Sequence, residues 1–265
     1  GHRPDEGSRL IAALKFFVSE VSRLGDSGLP RATRALRGWE VCHPSLQRLP
    51  LPLEVLGGVI GFCLHHGLRE MALRFWLCFH AYLRPGEGED LIVGSLVPPV
   101  ASSHSAQTFW ALLLHPLELC RPGKTGNYDE TVLLDVDPWC CTLLTQLVAG
   151  RAPDERLWSH SYCQFSSVFR QALTHLQLCF MGLCLYCLRH GGASFDLRTR
   201  RRSLEEVKKR GRWRADSSLR RYAKESRLQA ETAKIPAAAL AFGVGVLELL
   251  PELMLGDLRR LPNLP

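Results

Sequence analysis

Membrane-directing segments are what this sequence most clearly lacks. Its longest apolar run, residues 237–247, is followed by Glu248 and Pro251, and it is shorter than the ~20 residues that cross a bilayer as a helix. No stretch has the charged start, apolar centre and small-residue end of a secretion signal. We therefore expect an intracellular protein without a membrane partner. The chain starts at Gly1 without a methionine, and we expect it to be a piece of a longer protein.

A complete metal or nucleotide site is also lacking. Several of the ten cysteines lie in apolar helical patterns, where cysteine acts as a small hydrophobic residue, so we expect reduced, buried thiols. Cys184, Cys187 and His190 resemble half of a zinc site, but no second Cys or His pair stands at a suitable distance to complete it. Residues 123–126, Gly-Lys-Thr-Gly, lack the upstream glycine of a P-loop, because that position holds Glu118. We predict neither a metal nor another cofactor.

Positive charge, by contrast, is abundant and concentrated. Residues 189–227 hold 14 Lys and Arg against 5 Asp and Glu, a net charge of +9 in a chain whose total is +7. A segment this basic is often simply the solvent-exposed face of a helix. Here Trp213 and Tyr222 lie among the basic residues, and a clustered cationic surface binds a phosphate backbone by releasing its counterions. The sequence therefore favours a nucleic acid as partner, and charge alone does not distinguish DNA from RNA.

Changes in composition mark four segments along the chain. A length of 265 residues and an apolar content of 46% suit one large hydrophobic core and part of a second. Residues 1–44 contain two helical patterns, the first over residues 9–21, and the proline-rich residues 45–52 indicate an extended linker. Residues 53–229 form the main body, and residues 230–265 are predicted to be a C-terminal apolar helix and tail.

The main body has the patterns of an α+β fold that is mostly helical. Residues 54–66 and 68–83 predict two helices split by Gly67, and both should be buried because nearly every face is apolar. Three apolar runs too short for helices predict a small antiparallel sheet, at residues 91–98, 108–115 and 131–136. Further helices are predicted at residues 138–148, 164–178 and 217–229, with a capping box at Ser203 and Glu206. Tyr222 should face inward, toward a site.

Four short motifs follow one another in the main body. They are YLRPGE at residues 82–87, PGKTG at residues 122–126, LRHGGAS at residues 188–194, and GRW at residues 211–213, shortly before Tyr222. Each motif alone is weak, since an isolated Arg-Pro or Gly-Lys-Thr-Gly is more often a surface turn. In this order and in these structural contexts, they resemble the tyrosine recombinases, or phage-integrase family, particularly the versions carried by eukaryotic mobile elements.

The resemblance implies DNA strand breakage and rejoining through a covalent 3′-phosphotyrosine, as in site-specific recombination or integration. Arg84 and Arg189 would bind the non-bridging phosphate oxygens with their planar guanidiniums. Lys124 would protonate the leaving 5′-oxygen, and Tyr222 would attack the phosphorus. Trp213 would donate its indole N–H to the phosphate or pack against the tyrosine helix. Neither a metal nor ATP is then required, because the phosphotyrosine conserves the energy of the broken bond.

The resemblance also implies a partner and a setting. The partner would be double-stranded DNA, bound by a homotetramer on paired sites, with no small-molecule substrate, and the protein would be nuclear in a eukaryote. Residues 1–44 would be the C-terminal part of a helical, SAM-like domain that clamps DNA. The residues expected to contact DNA are His190, Arg200, Arg201, Arg202, Arg212, Arg214, Arg220 and Arg221.

Two departures from the family's motifs bear on activity. The second box usually has a histidine three residues before its arginine, and here that position holds Tyr186, whose hydroxyl can donate a hydrogen bond. Gly88 and Glu89 stand where the family continues its helix with leucines, so they should lower helix propensity and remove apolar packing beneath Arg84. The alternatives are a catalytically degenerate, DNA-binding relic of a mobile element and a type IB topoisomerase.

Each candidate residue also has a purely structural reading. Arg84 could contact the last carbonyls of its helix, Lys124 could be a surface turn residue, and Trp213 and Tyr222 could be core aromatics. The apolar residues 237–255 could dock on a neighbouring protomer, as a C-terminal element often does in the family, or fold back on their own core. Convergence of the catalytic candidates on a space the size of one phosphate is the structural test of the enzymatic reading.

Overall fold

The computed structural model covers most of the chain. It describes residues 3–22, 25, 28–43, 48–99, 109–120, 123, 126–135, 137–213 and 225–265. The chain divides into two units, Gly1–Arg48 and Leu49–Pro265. The boundary falls within the predicted linker, residues 45–52. The end of that linker belongs to the larger unit, because Leu51 is buried there and its N–H donates to the Cys187 carbonyl at 3.1 Å.

The smaller unit contains the helices α1 (Pro4–Phe17) and α2 (Pro30–Cys42). Both begin with a proline, whose missing N–H costs no helical hydrogen bond at that position. The helix predicted at residues 9–21 ends earlier than expected, and a 3₁₀ helix, Ser19–Val21, follows it. Where α1 and α2 meet, the position of a Cβ on Gly7 would lie 3.1 Å from the Trp39 ring, so glycine permits a close approach.

The larger unit is built mainly of helices. They are α3 (Leu53–His65), α4 (Arg69–His80), α5 (Pro85–Glu89), α6 (Pro138–Val148), α7 (Tyr162–His175), α8 (Tyr186–Arg198), α9 (Leu204–Arg210), α10 (Glu225–Thr232), α11 (Ala237–Glu248) and α12 (Leu250–Leu255). Of the helix predicted at residues 217–229, only the end lies within the described part, in α10. Over the described residues, no single helix has the length and apolarity to cross a membrane, although Ser226–Thr232 and Ala237–Glu248, bent by 107°, reach that standard as a pair.

The helices α3 and α4 form the centre of the core. The residues of α3 from Val55 to Leu64 are all buried, and so are those of α4 from Met71 to His80. Gly67 lies between the helices with a φ of 68°, a left-handed conformation that glycine adopts without strain. The prediction of two buried helices split at this glycine is confirmed.

The larger unit also contains a three-stranded antiparallel sheet, whose strands follow the order β1-β2-β3. Its strands are β1 (Leu96–Val97), β2 (Trp110–Leu114) and β3 (Glu130–Leu134). The register of β2 and β3 runs from the pair Trp110 and Leu134 to the pair Leu114 and Glu130. The first strand is shorter than predicted, because a 3₁₀ turn at Val93–Ser95 precedes it. The fold is α+β, mostly helical with a small three-stranded antiparallel sheet, as predicted.

The C-terminal segment folds back on the core of its own chain. α11 packs against α3, and two glycines bring the helix backbones into contact. A Cβ on Gly57 would lie 2.3 Å from the Gly243 carbonyl oxygen, and a Cβ on Gly243 would lie 2.0 Å from the Glu54 carbonyl oxygen. α11 also buries Phe242. Of the two readings of residues 237–255, the structure therefore shows docking on the protein's own core.

Candidate active site

The first motif places Arg84 beside a buried carboxylate. α4 ends at His80, and Tyr82 has a φ of 50°, which turns the chain so that Arg84 comes directly before α5. Glu87 accepts hydrogen bonds from the Arg84 backbone N–H at 2.6 Å and from the Arg84 Nη1. Arg84 thus precedes a short helix and pairs with Glu87. α4 ends four residues before Arg84, so Arg84 does not close that helix as expected. Arg84 pairs with Glu87 and not with the last carbonyls of α4, which was the alternative interpretation of its position.

The third motif, residues 188–194, lies within α8, and its glycines let α8 pack at backbone distance. A Cβ on Gly191 would lie 2.4 Å from the Leu51 carbonyl oxygen, and a Cβ on Gly192 would lie 1.9 Å from the Phe79 carbonyl oxygen. Neither position has room for a side chain, so α8 lies directly against the end of α4. This close packing explains the pair of glycines in the motif.

Arg189 is fully enclosed by this packing. Its Nη1 donates to the Tyr82 carbonyl and its Nη2 to the Gly211 carbonyl, while its Nε has no hydrogen-bond partner among the described residues. Its guanidinium carbon lies 4.6 Å from the centre of the Trp213 ring. Burial and the neighbouring charge of Arg212 lower the pKa of Arg189 to about 10, so the guanidinium remains cationic at neutral pH.

The fourth motif contributes a further arginine to the site. Arg212 is predicted to contact DNA from the surface, but its side chain is only 6% exposed. Its Nη2 donates to Glu87 Oε2 at 2.6 Å, and its Nε lies 3.3 Å from Glu130 Oε2. Two carboxylates compensate the guanidinium, which explains its burial. Trp213, the next residue, packs over Arg189. Trp213 is therefore in contact with a catalytic candidate.

Three arginines from three motifs thus surround one carboxylate. We call Arg84, Arg189 and Arg212 the arginine cluster. Arg84 and Arg212 pair directly with Glu87, and the Arg189 Nη1 lies 4.0 Å from Glu87 Oε2. Burial alone would raise the pKa of Glu87, but Arg212, the N–H and guanidinium of Arg84, and Arg189 together lower that pKa below its usual value. Glu87 is therefore anionic at neutral pH, and the arginine cluster surrounds an anion.

The hairpin between β2 and β3 reaches the arginine cluster through His115. The His115 Nε2 lies 3.9 Å from Glu87 Oε1. Across the hairpin, the Gly123 N–H donates to the Asn127 carbonyl at 2.9 Å, and a Cβ on Gly123 would lie 2.9 Å from the His115 ring. Gly123 immediately precedes Lys124, the predicted general acid. Lys124 itself lies outside the described residues.

The other predicted residues occupy three kinds of position. Tyr186 and His190 lie one turn apart on α8, both partly buried, with ring centres 5.0 Å apart. Arg200 and Arg201 follow α8 and are exposed, as contacts to DNA require. Outside the described residues lie Tyr222, Arg214, Arg220 and Arg221.

Arg202, also predicted to contact DNA, pairs with two carboxylates of the fold. Its Nε donates to Asp196 Oδ2 at 2.8 Å, and its Nη2 donates to Asp135 Oδ2 at 2.6 Å. Asp196 in turn accepts from the buried Tyr82 hydroxyl at 2.5 Å, and Asp135 pairs with Arg210 at 3.0 Å. Because both of its carboxylate partners are fixed in the fold, Arg202 ties α8 to the end of β3 and to the segment after α4.

The two expectations for Gly88 and Glu89 have different outcomes. α5 is short and ends at Glu89, where helix propensity was expected to be low, but the segment is not left without a packing partner. Glu89 Oε2 accepts a hydrogen bond at 3.1 Å from Arg74, which is fully buried with its guanidinium carbon 4.2 Å from the centre of the Phe165 ring. A buried ion pair therefore replaces the apolar packing beneath this segment. Arg84 is held separately, by Glu87.

One group of described side chains has the spacing of metal ligands. The ligand atoms of Glu87, His115 and Glu130 all lie within 4.8 Å of one another. Arg84 pairs with the first of these carboxylates and Arg212 with both. A divalent cation there would face two guanidiniums at close range, so the electrostatics of the site favour an anion over a metal.

Sequence motifs alone do not identify every member of the site. They do not single out His115 or Glu130, which meet the arginine cluster only because β2 pairs with β3. Glu87 is part of the first motif without an assigned role, although its spacing from Arg84 is that of a capping box, which could have indicated the contact. For Arg212, no local signal separates a buried ion pair from a surface charge.

Similarity to known proteins was found among solved structures. No protein-family model and no curated protein matches the sequence. Solved structures of the XerH site-specific recombinase bound to difH substrate do match: the pre-cleavage complex has 14% identity and a TM-score of 0.46, covering 88% of this chain and 71% of that chain. The post-cleavage complex on a palindromic difH substrate has 13% identity and a TM-score of 0.47, covering 86% and 71%.

A third structure, that of XerA recombinase, has 14% identity and a TM-score of 0.46, covering 89% of this chain and 84% of that chain. At these identities the likeness is one of fold, and the chain is similar in fold to these recombinase structures.

Proposed function

We propose that this chain is the catalytic domain of a tyrosine-type DNA recombinase, which breaks and rejoins DNA through a covalent 3′-phosphotyrosine on Tyr222. The observation that carries the proposal is the convergence of Arg84, Arg189 and Arg212 on one anionic group, Glu87. Bringing three like charges together in a protein interior is unfavourable unless an anion compensates them. A phosphodiester is an anion of suitable size, and guanidiniums match its oxygens in pairs.

The arginine cluster answers the first requirement of the chemistry. A phosphodiester resists attack because its own anionic oxygens repel a nucleophile, so fixed positive charge is needed where those oxygens lie. Arg84 and Arg189 supply this charge in the proposal, by binding the two non-bridging oxygens. Arg189 is preorganised for the task, since two backbone carbonyls and the Trp213 ring fix its guanidinium.

Proton transfer is the second requirement. When the Tyr222 oxygen bonds to the phosphorus, its hydroxyl proton is released to solvent, the bond to the 5′-oxygen breaks, and that oxygen takes up a proton, which Lys124 supplies in the proposal. The contact of Gly123 with His115, itself near Glu87, supports a place for the hairpin beside the arginine cluster. Tyr186, three residues before Arg189, would donate a hydrogen bond where the family has a histidine.

The setting follows from the same proposal. The partner is double-stranded DNA, contacted by the exposed Arg200 and Arg201 and by the other basic residues of the segment 189–227. The working form is a homotetramer on paired sites, in the nucleus of a eukaryotic host, as part of a mobile element. The match to DNA-bound recombinase complexes is consistent with this partner.

A trapping experiment tests the proposed chemistry. The chain is incubated with a pool of short duplexes of randomised sequence that carry a 5′-bridging phosphorothiolate, and covalent protein–DNA adducts are separated on denaturing gels. We expect an adduct with the wild-type protein and none with Tyr222→Phe. Lys124→Ala should lose the reaction on an oxygen-bridged duplex and regain it on the sulfur-bridged one, because a thiol has a pKa of about 8.5 and leaves without a proton donor.

Tyr162→Phe is the matched control, since Tyr162 is exposed at the start of α7, and this variant should still form the adduct. A gel shift of the duplex without any adduct would identify a DNA-binding relic and contradict the proposal. Relaxation of a generic supercoiled plasmid by single copies of the chain would point to a type IB topoisomerase.

A further inference from the structure

Arg212 follows α9 in the most basic segment of the chain, and both its backbone conformation and its burial are unusual for an arginine there. Its φ is 53°, in the left-handed region that side chains rarely adopt, and its guanidinium is buried. The guanidinium contacts three separate parts of the chain: Glu87 in α5, Glu130 in β3, and the Tyr82 carbonyl at 3.3 Å. A strained backbone persists only where the surroundings hold it, and here those contacts do so.

Arg212 and Arg189 share their acceptors. The Tyr82 carbonyl accepts from both guanidiniums, and Glu87 Oε2 lies 2.6 Å from Arg212 and 4.0 Å from Arg189. With Arg212 present, the arginine cluster carries one positive charge more than its two carboxylates, Glu87 and Glu130. Without Arg212 that excess disappears, and among the described residues Glu87 keeps Arg84, Arg189 and, at 3.9 Å, the His115 ring as neighbours.

The binding of a phosphate would disturb the charge compensation of Glu87. In the proposed reaction the phosphate binds the same Arg84 and Arg189 that neutralise Glu87 in the free protein. A buried carboxylate left beside a bound phosphate would repel it or would have to take up a proton. Arg212 is placed to prevent both, because its ion pairs with Glu87 and Glu130 do not involve the other two arginines.

We propose that Arg212 is a positioning residue that keeps Glu87 ionised and in place while a DNA phosphate binds Arg84 and Arg189. This inference rests on the proposed recombinase function and adds to it a third arginine, which does not itself contact the phosphate. Its consequence is that the defect of an Arg212 variant depends on the charge of Glu87. A residue that merely stabilised the fold would show no such dependence.

The first test follows the carbon-13 signal of the Glu87 carboxyl in pH titrations, assigned by its loss in Glu87→Gln. In Arg212→Gln we expect the titration midpoint of Glu87 to rise by at least one pH unit. Arg260→Gln removes the same charge from an exposed position at the C-terminus and should leave the midpoint unchanged. An unchanged midpoint in Arg212→Gln would overturn the proposal.

The second test repeats the Glu87 titration with duplex DNA bound to the Tyr222→Phe protein, which cannot cleave. It measures whether Glu87 stays ionised beside a bound phosphate. Glu87 should stay ionised at neutral pH when Arg212 is present and should become protonated in Tyr222→Phe/Arg212→Gln. If Glu87 is protonated on DNA even with Arg212 in place, Arg212 does not have the proposed role.

Adduct formation at saturating DNA supplies the kinetic test. We expect Arg212→Gln to slow the reaction at least tenfold and Arg212→Gln/Glu87→Gln to recover most of the Glu87→Gln rate, because no carboxylate then needs compensation. Failure of the double variant to recover would indicate a direct phosphate contact and refute the positioning role. If the wild-type protein forms no adduct, the recombinase proposal fails, while the Glu87 titrations still decide whether Arg212 controls this carboxylate.

Discussion

Buried ionic residues are the distinguishing feature of this protein at the residue scale. Glu87 lies at the centre of the arginine cluster, and a second pair, Arg74 and Glu89, lies nearby under α5. Removing one member of such a pair leaves an uncompensated charge in a medium of low polarity, which is more damaging than removing both. The two members of each pair are therefore expected to tolerate joint replacement better than single replacement.

The Arg74–Glu89 pair allows a direct test. Glu89→Leu restores the apolar residue typical of the family, yet it should lower the free energy of unfolding by about 3 kcal/mol, because Arg74 is fully buried and loses its partner. Arg74→Met/Glu89→Leu should recover most of this loss. Urea unfolding of the three proteins measures both effects. A stable Glu89→Leu protein would show that the ion pair does not compensate Arg74.

His80 predicts how stability depends on pH. Burial, and then the charges of Arg201, Arg210 and Arg202, lower the pKa of His80 to about 3, from an ordinary value of 6.5. The unfolded chain therefore takes up a proton below pH 6.5 that the folded protein does not, and stability present above that pH is lost as the pH falls toward 3.

His80→Phe keeps the ring packed against Trp76 and removes this proton uptake. Between pH 7 and pH 5 the wild-type protein should lose about 2 kcal/mol more unfolding free energy than the variant. Chemical unfolding at a series of pH values measures the difference, and parallel pH curves for the two proteins would contradict the low pKa of His80.

At the scale of elements, glycines set the distances between helices. Gly191 and Gly192 bring α8 against the end of α4, which places Arg189 beside the Tyr82 carbonyl. Gly57 and Gly243 do the same for α3 and α11. A helix-interior glycine normally reduces stability relative to alanine by roughly 0.5–1 kcal/mol, so its presence at these crossings indicates a steric requirement.

Gly243→Ala tests this requirement. Its Cβ would lie 2.0 Å from the Glu54 carbonyl oxygen, so the two helices must separate, and we expect a loss of about 2–3 kcal/mol despite the better helix propensity of alanine. Gly245→Ala, two residues further along α11, is the control. Its Cβ would meet only the Pro262 ring at 3.3 Å and should cost much less. Equal stabilities of the two variants by thermal unfolding would show that the close crossing is not needed.

At the scale of the whole molecule, the C-terminal segment completes the core. α11 and α12 bury six apolar side chains: Ala239, Phe242, Val246, Leu250, Leu253 and Met254. Burial of a large apolar side chain contributes about 1.5–3 kcal/mol, so the segment contributes an amount comparable to the whole stability of a typical domain, about 5–15 kcal/mol. Because α11 and α12 pack on helices of their own chain, they belong to the hydrophobic core of the larger unit.

Deleting residues 237–265 should therefore unfold the chain or leave it without a cooperative transition. Thermal unfolding followed by circular dichroism, together with binding of a hydrophobic dye, measures this result. If the segment served mainly to link neighbouring protomers, the truncated chain would stay as stable as the full one and lose only its assembly on DNA.

Much of the architecture can be predicted from local patterns. The buried helices on either side of Gly67, the capping box at Ser203 and Glu206, and the antiparallel sheet all follow from spacings within a few residues. Boundaries are less predictable, as at residues 91–98, where only Leu96–Val97 pairs as a strand. There a 3₁₀ turn takes up the first half of the run, which an apolar pattern does not distinguish from an extended chain.

The sequence by itself determined the order of the motifs, the concentration of positive charge after residue 189 and the mostly helical α+β class. These depend on residue type and short-range spacing. Only the tertiary structure decided which charges are paired: Arg202 and Arg212 lie in ion pairs with carboxylates distant in the sequence, Glu87 and Glu130 join the site, and residues 237–255 dock on their own core. Such contacts join side chains far apart in the chain, and whether a charge meets a partner or solvent depends on how the helices and the sheet pack.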